Sequence, residues 1–173
     1  MSKLKRIALL GFVLISCVGC DQATKLIARQ ELASTPMREY GNGFFVRLLY
    51  AENQGAFLGL GAGLDPALRF WIFTVAVALL LVGLTCYILY YIQKMPPVIV
   101  VALALIAGGG IGNLIDRFMH DGRVVDFMQI GFYPLRTGVF NVADMAIMTG
   151  TGLILLFSWR SSDTHSAQTD ALL

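Results

Sequence analysis

Four long apolar runs, separated by polar and glycine-rich stretches, set the pattern of this chain. Ile7–Cys20 is free of charge for 14 residues, Phe70–Gln93 for 24 and Met95–Ile115 for 21. Thr137–Trp159 runs for 23 residues with Asp144 as its only charge. About 20 apolar residues carry a helix across the hydrocarbon core of a bilayer. The second to fourth runs meet that length, and the first meets it once its flanks, Leu4–Ala23, are included. The pattern predicts an all-α integral membrane protein of one domain, residues 1–160, with four transmembrane helices at about 4–23, 69–92, 96–115 and 138–159. The polar tail, residues 161–173, is expected to lack fixed structure.

The stretches between the runs add detail. Residues 24–68 form an extracytoplasmic segment in which Gly41-Asn42-Gly43 reads as a turn and Phe44–Tyr50 is rich in strand formers. A small sheet at the membrane surface is expected there. Phe57-Leu58-Gly59-Leu60-Gly61-Ala62-Gly63 mixes apolar and flexible residues, as a lid on the interface would. Met95-Pro96-Pro97 reads as a tight turn that starts the third helix, because proline is tolerated in a first turn. Within that helix, Gly108 and Gly112 have the four-residue spacing of a helix-packing face.

Charge bears on orientation. Lys3, Lys5, Arg6, Lys94 and Arg160 would share one side of the membrane, which the positive-inside rule makes cytoplasmic, with both termini. Eight further basic residues fall on the other side, so the dense N-terminal cluster carries the assignment. With 57% hydrophobic and 14% charged residues, the chain departs from soluble proteins, which average roughly 25% charged. Its net charge of +2 is too small and dispersed for a nucleic-acid partner.

The candidate chemistry lies in carboxylates placed where lipid should be. Asp144 inside a span costs roughly 2.5–3.5 kcal/mol on insertion scales, so such a residue is usually functional. Asp126, in Val124-Val125-Asp126-Phe127, sits among apolar neighbours at the mouth of the same segment. Two nearby carboxylates cannot both ionise easily; one keeps a proton while the other acts as a base on water. Asn141 and Asp144 are three residues apart, and Asn113, Asp116 and Arg117 lie at i, i+3 and i+4, so each set shares a helix face. Two polar faces at similar depth favour one cluster inside the bundle. Read without further context, Asp126 could equally be a loop carboxylate, and Asp144 a buried hydrogen-bonder or an ion-pathway residue. Asp21 and Lys25 read as a local i, i+4 ion pair, and Asn53-Gln54-Gly55 as a turn or a backbone-recognition element.

Other chemistries find less support. Cys17-Val18-Gly19-Cys20 resembles a lipidation site or a redox pair, but the later spans do not suit a secreted lipoprotein, and only Cys86 remains as a further thiol. The cysteines read as ordinary membrane-helix residues. No HExxH or GxSxG is present. A small proton- or ion-coupled transporter using Asp21, Asp116 and Asp144 is the alternative from another class. A structural membrane subunit would leave the paired carboxylates unexplained.

Taken in order, Asp21-Gln22-Ala23-Thr24-Lys25, Asn53-Gln54-Gly55-Ala56, Gly109–Arg117, Val124–Phe127 and Phe140–Asp144 resemble lipoprotein signal peptidase, or signal peptidase II, across nearly the whole chain. The resemblance implies Asp126 and Asp144 as an aspartic dyad. It implies Asn53, Gly55, Asn113, Arg117 and Asn141 as substrate-binding or dyad-supporting residues, and Asp21, Lys25 and Asp116 as structural support. It further implies an outer β-cradle and a site near the outer face of a bacterial inner membrane. The substrates would be diacylglyceryl-prolipoproteins, cut N-terminal to the lipidated cysteine with no metal or cofactor; a monomer is expected separately. One departure falls on the lid. Family members often read Asn-x-Gly-Ala-Ala-Phe-Ser where this chain has Ala56-Phe57-Leu58-Gly59.

Overall fold

A computed structural model describes residues 1–56 and 60–170, with side chains described as far as Trp159. Residues 57–59 of the expected lid, and with them most of the departure from the family's second motif, lie outside the described residues.

Four helices are long and apolar enough to cross a membrane: Lys3–Leu32, Pro66–Tyr91, Pro97–Met119 and Val142–Trp159. The first is α1 (Lys3–Leu32), capped by the Ser2 side chain. The second is composite, with a short α2 (Pro66–Phe70), a π-helical segment (Trp71–Ala76) and α3 (Val77–Tyr91). The Asp65 side chain caps α2 with Pro66 in its first turn. α4 covers Pro97–Met119, again with proline in the first turn, and α5 covers Val142–Asp170. Their outward apolar surface is large: Phe12, Ile15, Leu79, Leu80 and Leu155 are each between 65% and 76% exposed. A surface of that kind suits lipid rather than water.

The helix bounds differ from the sequence expectation at three places. α1 continues nine residues beyond position 23, because Lys25, Ala28 and Leu32 return at helical spacing and are buried. α5 starts at Val142 rather than 138. The residues before it are extended, with Phe140 N–H donating to Met128 O at 2.8 Å and Met128 N–H to Phe140 O at 2.9 Å. The backbone of α5 also stays helical to Asp170, where an irregular tail was expected; each added residue gains a hydrogen bond at little extra cost once a helix exists.

A four-stranded antiparallel sheet, in the order β1 (Arg38–Tyr40), β2 (Phe44–Asn53), β3 (Val124–Phe132) and β4 (Leu135–Arg136), covers one end of the bundle. The expected turn joins β1 to β2, with Gly41 at φ 107° and Gly43 at φ 87°, backbone that glycine adopts without strain. β2 runs three residues past the expected Tyr50. β3 removes the alternative of Asp126 as a loop carboxylate. Its β-branched and aromatic residues pair with β2 in a register that sets Asp126 opposite Ala51 and Val124 opposite Asn53.

Two apolar clusters hold the molecule. At the bundle end remote from the sheet, Leu10, Ile88, Ile92, Met95, Val100 and Ala104 pack together. Arg6 donates there to the carbonyls of Ile92 and Met95, which close α3. Beneath the sheet, Ala28, Leu32 and Phe127 join α1 to β3. The glycines of α4 set its closeness to two neighbours. A Cβ on Gly108 would stand 2.9 Å from Cys17 Cβ, and one on Gly112 would stand 2.5 Å from Asp21 Oδ2, so the expected packing face meets α1. Gly109 abuts Ala143 and Ile147 of α5.

Candidate active site

The start of α5 is the organising point. Asn141 is its N-cap: its side-chain oxygen accepts from Asp144 N–H at 2.9 Å, while Asp144 Oδ2 accepts from Asn141 N–H at 3.3 Å. This reciprocal pair is a capping box with aspartate in the third position. A third end group, Ala143 N–H, donates at 2.9 Å to Asp21 Oδ1 of α1. Helix amides that would otherwise be orphaned thereby fix two carboxylates at the positive end of a helix dipole.

Asp126 reaches the same point from β3. Its Oδ1 accepts from Asn141 Nδ2 at 2.7 Å and its Oδ2 from Asn53 Nδ2 at 3.0 Å. Asn141 therefore donates to both carboxylates, by its side chain to Asp126 and by its backbone to Asp144. Asp126 is 2% exposed and Asp144 7%. Burial, and then the negative charge of Asp144, push the Asp126 carboxyl up to about 7, against the pull of the Asn53 and Asn141 amides. Asp126 is a strand residue whose position is set by sheet register, so the pair flanks the start of α5 with one carboxylate from the sheet and one from the helix.

Behind the dyad stands a buried charge cluster. Lys25 Nζ lies 2.8 Å from Asp21 Oδ2 and 3.1 Å from Asp116 Oδ2, and donates to Asn113 Oδ1 at 2.9 Å. Asp21 is 0% exposed, Asp116 1% and Lys25 4%, so this is no surface i, i+4 pair but a triad joining α1 to α4. Asp116 also accepts from Val125 N–H at 2.9 Å, which ties α4 to β3 beside Asp126. With Asn113 Oδ1 held by Lys25, its Nδ2 is turned to donate to Asp144 Oδ1 at 2.9 Å. Lys25 thus orients an amide that orients the dyad.

The remaining expected residues shape the approach. Asn53 folds the chain after β2: its Oδ1 accepts from Gly55 N–H at 2.9 Å and its Nδ2 also donates to Ala56 O at 3.0 Å. Gly55 takes part through its backbone, since Arg117 donates to its carbonyl at 2.9 Å. Asp116 and Arg117 part company, the first toward Lys25 and the second toward Gly55 and the Phe73 ring, 5.9 Å from its centroid. An apolar groove of about 580 Å³ opens on Asp144, Asn113 and Arg117 and continues along Phe73, Val77, Ile147, Met148 and Leu155. Asp144 and its amide and guanidinium neighbours therefore face a corridor suited to an apolar chain.

All ten expected site residues fall within this connected region. Sequence reasoning missed Gln22, whose Nε2 donates to Asp116 Oδ1 at 3.0 Å and to Gly112 O at 3.1 Å, although it stood in a motif quoted for its neighbours. It also missed the backbone donors Ala143 and Val125, which carry no side-chain signal, and Phe73, which needed the π-helical segment to aim it.

Known proteins resemble this chain in sequence and in fold. The family model described as "Signal peptidase (SPase) II" matches residues 13–160. A lipoprotein signal peptidase of Syntrophotalea carbinolica is 36% identical over 168 residues, covering 95% of this chain and 99% of the relative. Another, of Chlorobium phaeovibrioides, is 35% identical, covering 86% and 89%. A bacterial membrane enzyme solved by the in meso method at 2.3 Å resolution superposes with a TM-score of 0.69 at 26% identity, covering 92% of this chain and 90% of its own. The four spans, the small sheet and these matches together place the chain in the signal peptidase II family, a family of membrane peptidases.

Proposed function

We propose that the chain is an aspartic endopeptidase that removes signal peptides from diacylglyceryl-modified prolipoproteins, cutting N-terminal to the lipidated cysteine. The observation that carries this reading is one residue joining two carboxyls: Asn141 donates from its side-chain amide to Asp126 Oδ1 at 2.7 Å and from its backbone N–H to Asp144 Oδ2 at 3.3 Å. Two buried carboxyls bridged in this way suit one proton between them. Asp126, whose proton is held to about pH 7, is the acid, and Asp144 is the base.

In the first step Asp144 takes a proton from a water as its oxygen bonds to the scissile carbonyl carbon. Asp126 gives its proton to the carbonyl oxygen, and a tetrahedral diol results. In the second, a diol hydroxyl returns its proton to Asp126 while the C–N bond breaks. Asp144 then hands its proton to the departing cysteine nitrogen, and the pair is reset. The apolar groove would take the signal helix or the acyl chains beside the bond being cut. Asn53, Gly55, Asn113, Arg117 and Asn141 would hold substrate and dyad in register, with Asp21, Lys25 and Asp116 behind them. Termini in the cytoplasm, a site near the outer face of the inner membrane and action as a monomer complete the proposal.

A relay through Asp21, Asp116 and Asp144, as a transporter would need, has little to move, because Asp21 and Asp116 both close on Lys25. The test is purified protein in detergent with a diacylglyceryl-prolipoprotein and the same precursor unlipidated. Cleavage of the lipidated form alone, giving a product that begins at the modified cysteine, is expected. Equal cleavage of both, or a product beginning elsewhere, would refute the proposed specificity.

A further inference from the structure

A second cavity, of about 370 Å³, shares Arg117 as a wall with the apolar groove but has a different character. Gln54, Arg69, Thr74, Arg117, Asp121 and Arg123 line its polar part. Adjacent residues of the π-helical segment divide the two spaces, Phe73 facing the groove and Thr74 the cavity. The cavity is close to the reacting centre, since Asn53, bonded to Asp126, is followed directly by Gln54.

Its charge is lopsided. Arg123 pairs with Glu52 at 2.6 Å and lies near Asp121. Arg69 donates only to neutral oxygens, those of Gln54 and Ala62, and Arg117 donates to the carbonyl of Gly55, with its Nε buried and without a hydrogen-bond partner among the described residues. Among the described residues, Arg69 thus has no carboxylate partner, and Arg117 makes no ion pair and meets Asp126, Asp144 and Asp116 only at longer range.

Resting on the function proposed above, we infer that this cavity is a subsite for the residues following the cut bond on the mature side, favouring acidic side chains there over basic ones. The signal helix and the acyl chains are apolar and match the groove. The polar chain beyond the cysteine is the part of such a substrate that matches a cavity walled by Arg69 and Arg117, and two or three extended residues, at about 3.3 Å each, span such a cavity.

The test uses the full-length enzyme and three lipidated substrates differing only in the second and third residues after the cysteine: both Asp, both Ser or both Lys. The expected order of kcat/KM is Asp above Ser above Lys, about fivefold per step, shrinking as salt is raised. Arg69→Gln should reduce the Asp-to-Lys ratio, and Arg69→Glu should bring it to one or below. A ratio cancels any general loss of activity in the variants, and the salt dependence needs no variant. Equal rates on all three substrates would overturn the subsite while leaving the function standing. Failure to cut any of them would overturn the function and the subsite with it. Rates that follow the phosphatidylglycerol content of the vesicles, identically for all three substrates, would assign the cavity to a lipid phosphate instead.

Discussion

Asp126 is costly to the fold once it ionises, and the site keeps it protonated, the state in which it can serve as the acid. An unfolded chain gives up this proton near pH 3.8, whereas the folded site keeps it to about pH 7. Between those values the native state binds the extra proton, so stability falls as pH rises across the window, by up to about 4 kcal/mol, and levels off above it. Asp126→Asn should therefore melt at higher temperature than wild type at pH 8 and close to it at pH 4. An equal difference at the two pH values would show that the shift is not seated at this residue. Lys25 presents the opposite case, being the only cation in contact with Asp21 and Asp116 among the described residues. Lys25→Met should destabilise by about 3–5 kcal/mol in detergent, since two buried carboxylates would lose their partner. A change under about 1 kcal/mol would mean that the triad contributes little net stability.

At the scale of elements, the closeness of α4 to α1 depends on the absence of side chains. Gly112→Ala would press a methyl group onto Asp21 Oδ2 and should cost about 1–3 kcal/mol, together with activity, whereas Gly83→Ala, which meets nothing within 4 Å, should be neutral. Similar melting of the two variants would argue against tight α1–α4 contact. The spans were legible because apolar length alone signals a bilayer helix, and Asp144 stood out against that background. β3 was harder to read. Its Val124–Phe132 run is as apolar as the helices around it, and its one carboxylate was assigned to the mouth of the nearest span; only pairing with β2, more than 70 residues earlier in the chain, makes it a strand. The outer turns of α1 were hidden for a related reason, because Asp21 and Lys25 look like the polar end of a span until α4 supplies Asn113 and Asp116 to bury them.

For the whole molecule, a sheet at one end of a four-helix bundle and an apolar groove leading from it place water, peptide and lipid within reach of one site. Polar backbone at such depth is tolerated where it lines a protein cavity. The orientation proposed above sets the sheet outside. With the native cysteines replaced, a thiol introduced at Asp121 should react with a membrane-impermeant reagent on intact cells, and one at Ser2 only after permeabilisation; the reverse pattern would invert the topology. The dyad is tested most directly by initial rates on the lipidated precursor with wild type, Asp126→Asn and Asp144→Asn, each checked for an intact cooperative melt. Losing either the acid or the base should lower the rate at least about 100-fold in each variant, the minimum expected of an essential proton-transfer group, while the melt is retained. More than a tenth of wild-type activity in either folded variant would contradict a shared aspartic dyad.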